Sequence, residues 1–425
     1  MSIKLHFKTY LVILFFCMAC AENNDSIPEE KPPVQPLGQV AIEFVGLDIE
    51  NESFTLNTLG SSGDILESNE DMEQTPNYIP LEAGTYKFEI LSKLAKHQTI
   101  EDVVFSGISN EFTIKDGDTL NISVEIQAIE RQGWVEVPNT PLSKRFAPSS
   151  FVIGQNLYVG FGSSIQNERF QDWWVYSIEN NTWRQLPDFP GGKRFAALSF
   201  SIGDKGYICL GYYEDSSRSQ EFWEFDSENE SWTQLSDVPG VSRSSATAFV
   251  IGNKAYVGSG NVNGIDSTNE FFEYDQSTNQ WSPISDFNGD ATYGFTSFSI
   301  EGTAHLIAGV INVNQRTKRH VVYNSIDDTW NEIDEFPGTE RLEGIGFTIK
   351  GKGYFGLGSI TNIVPGVDFW TYDPQNMIWS EVESFPGEPR FNGTYGSTGS
   401  EGYAGFGIKG NTMYNDLYLF YAVND

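Results

Sequence analysis

The chain of 425 residues has few cysteines, few histidines and few basic residues. Its three cysteines include Cys17 and Cys20 in an N-terminal apolar segment, which leaves Cys209 without a partner for an internal disulfide. Lys and Arg number 26 against 58 Asp and Glu, so the formal net charge is −32. Because nucleic acid phosphates require a basic surface, this balance excludes nucleic acid as a predicted partner.

Runs of strong helix formers are also scarce, whereas aromatic residues make up 14% of the chain and glycines number 41. This composition predicts an all-β protein with many turns. The length exceeds that of a usual single domain, so we expect more than one.

The N-terminus has the features of an export signal. Lys4 and Lys8 precede an apolar stretch, residues 10–19, that is too short to span a bilayer comfortably. The tripeptide Met18-Ala19-Cys20 resembles a bacterial lipobox, with Cys17 where that pattern usually has Leu. The resemblance implies lipidation of Cys20 and an outer-membrane lipoprotein of the bacterial cell envelope, which touches the membrane only through its lipid. An ordinary secretory signal cut near Ala21 is the alternative.

Four segments follow from the patterning. Residues 1–19 are the signal peptide, and residues 20–37 form an acidic, Pro-rich tether. Residues 38–131 contain alternating apolar and polar runs separated by turn signals, which predict a small antiparallel β-sandwich with the role of a spacer. Residues 132–425 form the fourth segment.

This fourth segment is an internal repeat. Aromatic and glycine columns recur every 49 residues, and each unit contains four β-like runs. The columns are Trp134, Trp183, Trp232, Trp281, Trp330 and Trp379; Tyr158, Tyr207, Tyr256, His305, Tyr354 and Tyr403; Gly162, Gly211, Gly260, Gly309, Gly358 and Gly407; and Tyr176, Phe225, Tyr274, Tyr323, Tyr372 and Tyr421. This period predicts the blades of a β-propeller. A seventh Trp would fall beyond Asp425, so the strand at Trp134 must complete the last blade and close a ring of six.

The segments FDSENESW (225–232), YDQSTNQW (274–281) and YDPQNMIW (372–379) resemble the kelch family, although only the second glycine of the family's double glycine is always present. The resemblance covers residues 134–425 and implies a kelch-type propeller like the central domain of galactose oxidase. That enzyme holds copper with two His and two Tyr, one of them crosslinked to Cys, and this sequence does not reproduce the set. We therefore expect no copper oxidase site, no metal and no cofactor.

A column of arginines immediately precedes the first strand of five repeats, with Thr292 in the sixth. We expect it to ring the channel mouth on the face bearing the 2–3 loops and inter-blade connections. The arginines could bind an anionic glycan, or brace every blade through an ion pair, for which acids lie six residues upstream (Asp188, Asp237, Asp286, Glu335). Glu343 and Asn392 break the repeat at an otherwise small mouth position. The candidate ligand-binding residues are Arg145, Arg194, Arg243, Arg341, Arg390, Glu343 and Asn392.

These features predict a monomeric binding module for a glycan or protein ligand, with no catalytic residue assigned. The alternative is a sugar-acting enzyme, since six-bladed kelch propellers include bacterial sialic acid mutarotases, which need a positioned acid or base and an anion clamp. A purely structural adhesive is the third hypothesis.

Overall fold

The structure is a computed structural model that describes residues 37–46, 54–72, 78–92, 105–128, 132–138, 140–262, 266–311, 314–361 and 364–422. The predicted signal peptide, Cys20 and nearly all of the tether lie outside the described residues. The described part is all β, and it contains no helix of the length and apolarity needed to cross a membrane.

The N-terminal segment forms one curled sheet of eight strands, β1 to β8. Its apolar core includes Val40, Phe54, Phe88 and Val124, all buried. The strands are β1 Gly38–Gly46, β2 Phe54–Gly60, β3 Ile65–Met72, β4 Ile79–Leu81, β5 Gly84–Ser92, β6 Phe105–Ser109, β7 Phe112–Ile114 and β8 Thr119–Ala128.

This sheet differs from the expected pair of antiparallel layers in two respects. Its strands form a single hydrogen-bonded sheet in which β1 and β8 run parallel. Strand β3 was also not predicted, because ILESNEDM is an acidic edge strand without alternating apolar residues. A parallel pairing joins residues about eighty positions apart, and alternation within each strand does not encode it.

Residues 133–422 form six four-stranded antiparallel sheets arranged in a ring, so the predicted six-bladed propeller is confirmed. The first three blades are β10 Ser149–Ile153, β11 Asn156–Gly160, β12 Trp173–Ser177 and β13 Thr182–Gln185; β14 Leu198–Ile202, β15 Lys205–Cys209, β16 Phe222–Asp226 and β17 Ser231–Gln234; and β18 Thr247–Ile251, β19 Lys254–Gly258, β20 Phe271–Asp275 and β21 Gln280–Pro283.

The other three blades carry additional two-stranded hairpins in their 2–3 loops. Blade 4 is β22 Thr296–Ile300, β23 Thr303–Ile307, β26 His320–Asn324 and β27 Thr329–Glu332, with hairpin β24 Val310–Ile311 and β25 Gln315–Arg316. Blade 5 is β28 Ile345–Ile349, β29 Lys352–Gly356, β32 Phe369–Asp373 and β33 Ile378–Val382, with β30 Ser359–Thr361 and β31 Val364–Pro365. Blade 6 is β34 Thr394–Ser397, β35 Glu401–Gly405, β38 Leu417–Tyr421 and β9 Gly133–Val137, with β36 Ile408–Lys409 and β37 Thr412–Met413.

Strand β9 closes the ring as its outer position predicted. It pairs antiparallel with β38, the third strand of the last blade, with Trp134 opposite Phe420. Trp134 is buried, and its indole Nε1 donates to the carbonyl oxygen of Glu383 at 3.1 Å. The same aromatic pair occurs in the other blades, for example between Phe225 and Trp232. Closure therefore gives the last blade the same four strands as the other five and joins the two ends of the propeller.

The last blade shows a one-residue error in the predicted aromatic column. Phe420, rather than Tyr421, takes the buried position opposite the outer-strand tryptophan. The hairpin β36–β37 pairs Ile408 with Met413, one residue closer than Ser163 and Arg169 in blade 1. A shorter loop shifts the following strand by one position, which a fixed period cannot detect.

The seams between blades are aromatic, and histidines occupy two of these positions at the seam of blades 4 and 5. His305 stacks on Phe298 with ring centroids 5.2 Å apart, and His320 lies 5.4 Å from the ring of Trp379. His320 starts β26, where the other blades have large apolar residues such as Phe271. The residue before this strand is acidic in the other blades, such as Glu270 in blade 3, whereas blade 4 has Arg319 there.

The two histidines form a directed chain of hydrogen bonds. The indole Nε1 of Trp379 donates to Nδ1 of His320 at 3.3 Å, so His320 carries its proton on Nε2. That nitrogen lies 2.8 Å from Nδ1 of His305, whose Nε2 faces the Thr303 hydroxyl at 3.3 Å. Thr303 in turn donates to the Ile300 carbonyl at 2.7 Å. In this arrangement each donor meets an acceptor while both rings are neutral.

This seam makes the stability of the propeller dependent on pH. Burial lowers the pKa of His305 from 6.5 to about 4, and burial together with His305 lowers the pKa of His320 further. Below pH 6.5 the unfolded chain binds more protons than the folded one, so stability present above that pH is lost as the pH falls toward 4. We expect wild type to lose about 2 kcal/mol per histidine at pH 5 relative to the variant His305→Tyr/His320→Phe, which restores residues found in other blades.

Urea unfolding of both proteins at pH 7 and pH 5 measures this difference. An equal loss of stability in wild type and variant would contradict the assignment of neutral, buried histidines.

Candidate functional site

The centre of the ring contains a cavity of about 170 Å³ at the start of the inner strands. Its rim is formed by one residue from each blade, and we call these six positions the mouth ring. All six have positive φ, from 47° at Ser245 to 69° at Gly294, a conformation that costs a residue with a side chain about 1–2 kcal/mol. The mouth ring consists of Ala147, Ala196, Ser245, Gly294, Glu343 and Asn392.

Backbone hydrogen bonds join neighbouring members of the mouth ring. The amide of Ala147 donates to the carbonyl of Asn392 at 2.8 Å, and the amide of Ala196 donates to that of Ala147 at 3.0 Å. The amide of Glu343 donates to Gly294 at 3.2 Å in the same sense. The left-handed backbone is thus held by contacts between blades, which fixes the side chains that project over the cavity.

Glu343 is the one charged residue among those that line the cavity in the described part of the chain. Its Oε1 accepts a hydrogen bond from the Ser245 hydroxyl at 3.2 Å. Burial raises the pKa of the Glu343 carboxyl, and side-chain hydrogen bonds from Ser245 and Asn392 and the charge of Arg316 partly offset this. The carboxylate also raises the pKa of the nearby Tyr293 hydroxyl, an effect smaller than that of burial. The two predicted breaks in the repeat, Glu343 and Asn392, therefore meet at the mouth.

The five predicted arginines lie beneath the surface instead. Each is fully or almost fully buried and binds a carboxylate located just before the third strand of its own blade. Arg341, for example, donates to both oxygens of Asp368 at 2.9 and 2.7 Å and to the carbonyl of Leu357 at 3.0 Å. The pairs are Arg145 with Asp172, Arg194 with Glu221, Arg243 with Glu270, Arg341 with Asp368 and Arg390 with Asp416.

These partners lie downstream of the arginines rather than six residues upstream. The acids six residues upstream are close to the arginines in sequence only, whereas the loop after strand two brings a carboxylate 26 or 27 positions further on beside the guanidinium. In Asp368, burial would raise the pKa, but the hydrogen bonds and charge of Arg341 hold it below its ordinary value. The geometry favours the brace over the ligand site.

Blade 4 independently supports a bracing role for these arginines, because it has different residues at both positions of the pair. Thr292 takes the arginine position, and Arg319 takes the carboxylate position. Arg319 donates back to the carbonyl of Asp290 at 3.0 Å and to the Thr292 hydroxyl at 3.2 Å, and its other nitrogens bind Glu332. All six blades therefore have a guanidinium between the start of the inner strand and the end of the 2–3 loop. In blade 4 it comes from the loop residue Arg319 rather than from the residue before the inner strand.

A second set of arginines, not recognised in the sequence, flanks the mouth. Arg169, Arg218 and Arg316 occupy equivalent hairpin positions in the 2–3 loops of blades 1, 2 and 4. Among the described residues, Arg169 and Arg218 form no salt bridge with a carboxylate. Arg169 is 6% exposed, and its Nε has no hydrogen-bond partner in the described structure. The steps of 49 and 98 residues between them were the available signal.

These three arginines reach the following blade beside the mouth ring. The Arg169 guanidinium lies 3.8 Å from the ring centre of Phe195, the residue before Ala196. Arg218 Nε donates to the hydroxyl of Ser244 at 3.4 Å. Arg316 Nε donates to the carbonyl of Ser359 at 3.0 Å. Half-buried aromatic residues separate them around the mouth: Phe146, Phe195, Tyr212, Tyr293 and Phe391.

The propeller is similar to that of YjhT. The two structures superpose with a TM-score of 0.60 over 68% of this chain and 97% of YjhT, at 18% sequence identity. At this identity the similarity to YjhT establishes the fold alone. No family model matches the chain, and no curated protein sequence matches it.

Two further features concern the described residues, namely possible metal ligands and the thiol of Cys209. They contain no group of three or more His, Cys, Asp or Glu side chains arranged to hold a metal ion. Cys209 is buried in the seam between blades 2 and 3, and burial raises its pKa far above the ordinary value.

The exchanged pair in blade 4 gives a test of the brace in blade 5. Arg341→Thr leaves the half-buried Asp368 without its cation, and we expect a loss of about 3 kcal/mol in unfolding free energy, the lower end of the range for buried pairs, because the carboxylate is 27% exposed. Adding Asp368→Arg rebuilds the arrangement of blade 4, since Glu381 stands where blade 4 has Glu332. We expect this second substitution to restore most of the lost stability.

Chemical denaturation of wild type and both variants measures these energies. A double variant no more stable than Arg341→Thr would contradict the interpretation of these arginines as interchangeable braces.

Proposed function

We propose that the mouth of the propeller binds an acidic sugar, free or at the end of a glycan. The observation that carries this proposal is the set of Arg169, Arg218 and Arg316 around a cavity whose one charged lining residue is Glu343. On a chain with a net charge of −32, such a set is a local cationic site. Guanidinium groups bind carboxylates with charge-assisted, planar hydrogen bonds.

The size and lining of the cavity support a sugar over a larger ligand. Its volume of about 170 Å³ is below the roughly 300–1,000 Å³ typical of pockets for drug-sized molecules, so one end of a ligand enters it. Hydroxyl and amide groups of Ser245 and Asn392 can bond to sugar hydroxyls, while aromatic rings beside the arginines present apolar faces.

A second candidate function is catalysis of sugar ring-opening, the reaction of the sialic acid mutarotases among six-bladed kelch propellers. The observation that favours it is the Glu343 carboxyl, whose raised pKa suits a general acid or base. Tyr293 stands beside it as a neutral hydroxyl. Mutarotation followed by NMR, with loss in Glu343→Gln, tests this candidate.

We further infer that the repeats are of the kelch type and that the protein acts in the bacterial cell envelope through a lipid on Cys20. The first inference is supported by the Tyr-Asp and Trp pattern across the outer turns. The second is supported by the lipobox-like tripeptide, and lipid labelling lost in Cys20→Ser tests it.

The test of the binding function is calorimetry of the mature chain with D-glucose, D-galactose, D-glucuronate and N-acetylneuraminate. We expect an acidic sugar to bind and the neutral sugars to bind at least tenfold more weakly. Arg218→Gln should weaken binding of the acidic sugar by about tenfold or more, because hydrogen bonds to charged groups contribute about 1.5–3 kcal/mol.

Arg184→Gln is the matched control, since this exposed arginine pairs with Glu230 on the outer strand, away from the mouth. Equal binding of neutral and acidic sugars, or equal losses in both variants, would overturn the proposal. Absence of sugar binding would instead favour a protein ligand.

A further inference from the structure

The mouth combines cations on its flank with a carboxyl group inside the cavity. Three arginines favour an anionic ligand, yet the mouth-ring position of blade 5 is occupied by Glu343 where other blades have Ala, Ser, Gly or Asn. An ionised Glu343 would repel the very charge that the arginines attract. The charge of Arg316 acts on Glu343, and Arg169 and Arg218 contact residues next to the mouth ring, so both kinds of charge act on a ligand bound at the mouth.

The groups around Glu343 are compatible with a protonated carboxyl. Asn392 and Ser245 can each accept or donate a hydrogen bond. Tyr293 and Tyr395 stay neutral at ordinary pH, because burial raises the pKa of both hydroxyls. Arg316 is the cation that acts on Glu343 directly, since Arg341, two residues earlier, is bound to Asp368. Neither the two tyrosines nor the arginines change their charge between pH 5 and pH 8.

We propose that the mouth takes up one proton on Glu343 when it binds its anionic ligand. The proton comes from solvent and forms an O–H bond on the carboxylate, and no other covalent bond changes. The neutral carboxyl then donates a hydrogen bond to a ligand oxygen, while the arginines hold the ligand's charge. This inference rests on the proposed function, and it makes Glu343 a residue that determines both specificity and pH dependence.

The coupling between proton binding and anion binding determines how affinity for the anion changes with pH. Burial already raises the pKa of Glu343 in the free protein, and a bound anion raises it further. Between these two pKa values, affinity for the anion falls by up to about tenfold for each unit of rising pH. A neutral ligand leaves the pKa of Glu343 nearly unchanged, so its affinity has little dependence on pH.

Calorimetry of the mature chain tests the proposal with D-glucuronate and N-acetylneuraminate as anions and D-glucuronamide as the neutral counterpart. Titrations at pH 5.5, 6.5 and 7.5, each in two buffers of different ionisation enthalpy, count the protons absorbed. We expect up to one proton per anion, close to none with glucuronamide, and weaker anion binding at each higher pH.

The variant Glu343→Gln should bind the anion with no proton uptake and no dependence on pH over this range. Glu343→Ser provides a second variant that the backbone accepts, because Ser245 holds the same position in blade 3. Two results would overturn the inference while leaving the proposed function intact. Wild type could bind the anion without proton uptake, or both variants could take up as many protons as wild type. If neither anion binds at any of these pH values, the proposed function and the inference fail together.

Discussion

The buried pair of guanidinium and carboxylate in each blade is the interaction on which the geometry of the mouth depends. Arg145 and its equivalents tie the start of an inner strand to the end of the 2–3 loop in the same blade. The mouth-ring residue follows the arginine by two positions and has a strained, left-handed backbone. The ion pair on one side and the backbone hydrogen bonds between blades on the other keep this backbone in its strained conformation. Such strain is common where a fold fixes side chains around a site.

The repeated blades form the scaffold, and the positions that depart from the repeat form the candidate ligand site. The mouth ring is small and neutral in four blades, whereas Glu343 and Asn392 occupy the adjacent blades 5 and 6. The flanking arginines likewise occur in only three of six equivalent positions. The six similar blades thereby present one carboxyl group, from blade 5, and cations from blades 1, 2 and 4. A ligand with chemically different ends can bind to this asymmetric arrangement.

The fold was largely predictable from the sequence, because a 49-residue period and an unpaired first strand require a closed ring of six. Periodicity failed where a loop changed length, at Phe420, and where pairing joined distant strands, at β1 and β8. The site was predictable only in part. Glu343 and Asn392 emerged as breaks in the repeat, but the role of Arg341 depended on Asp368, a partner that only folding brings near. Arg169 and Arg218 lie in variable loops, where the repeat is weakest.

The most direct measurement of the central claim, that the channel mouth is the ligand site, is a crystal structure of the mature chain with D-glucuronate or N-acetylneuraminate. We expect the ligand on the propeller axis, with its carboxylate bonded to Arg169, Arg218 or Arg316 and a ligand oxygen within hydrogen-bond distance of Glu343. A ligand bound on the outer strands or on the N-terminal sheet, with the mouth empty at saturating concentration, would contradict it.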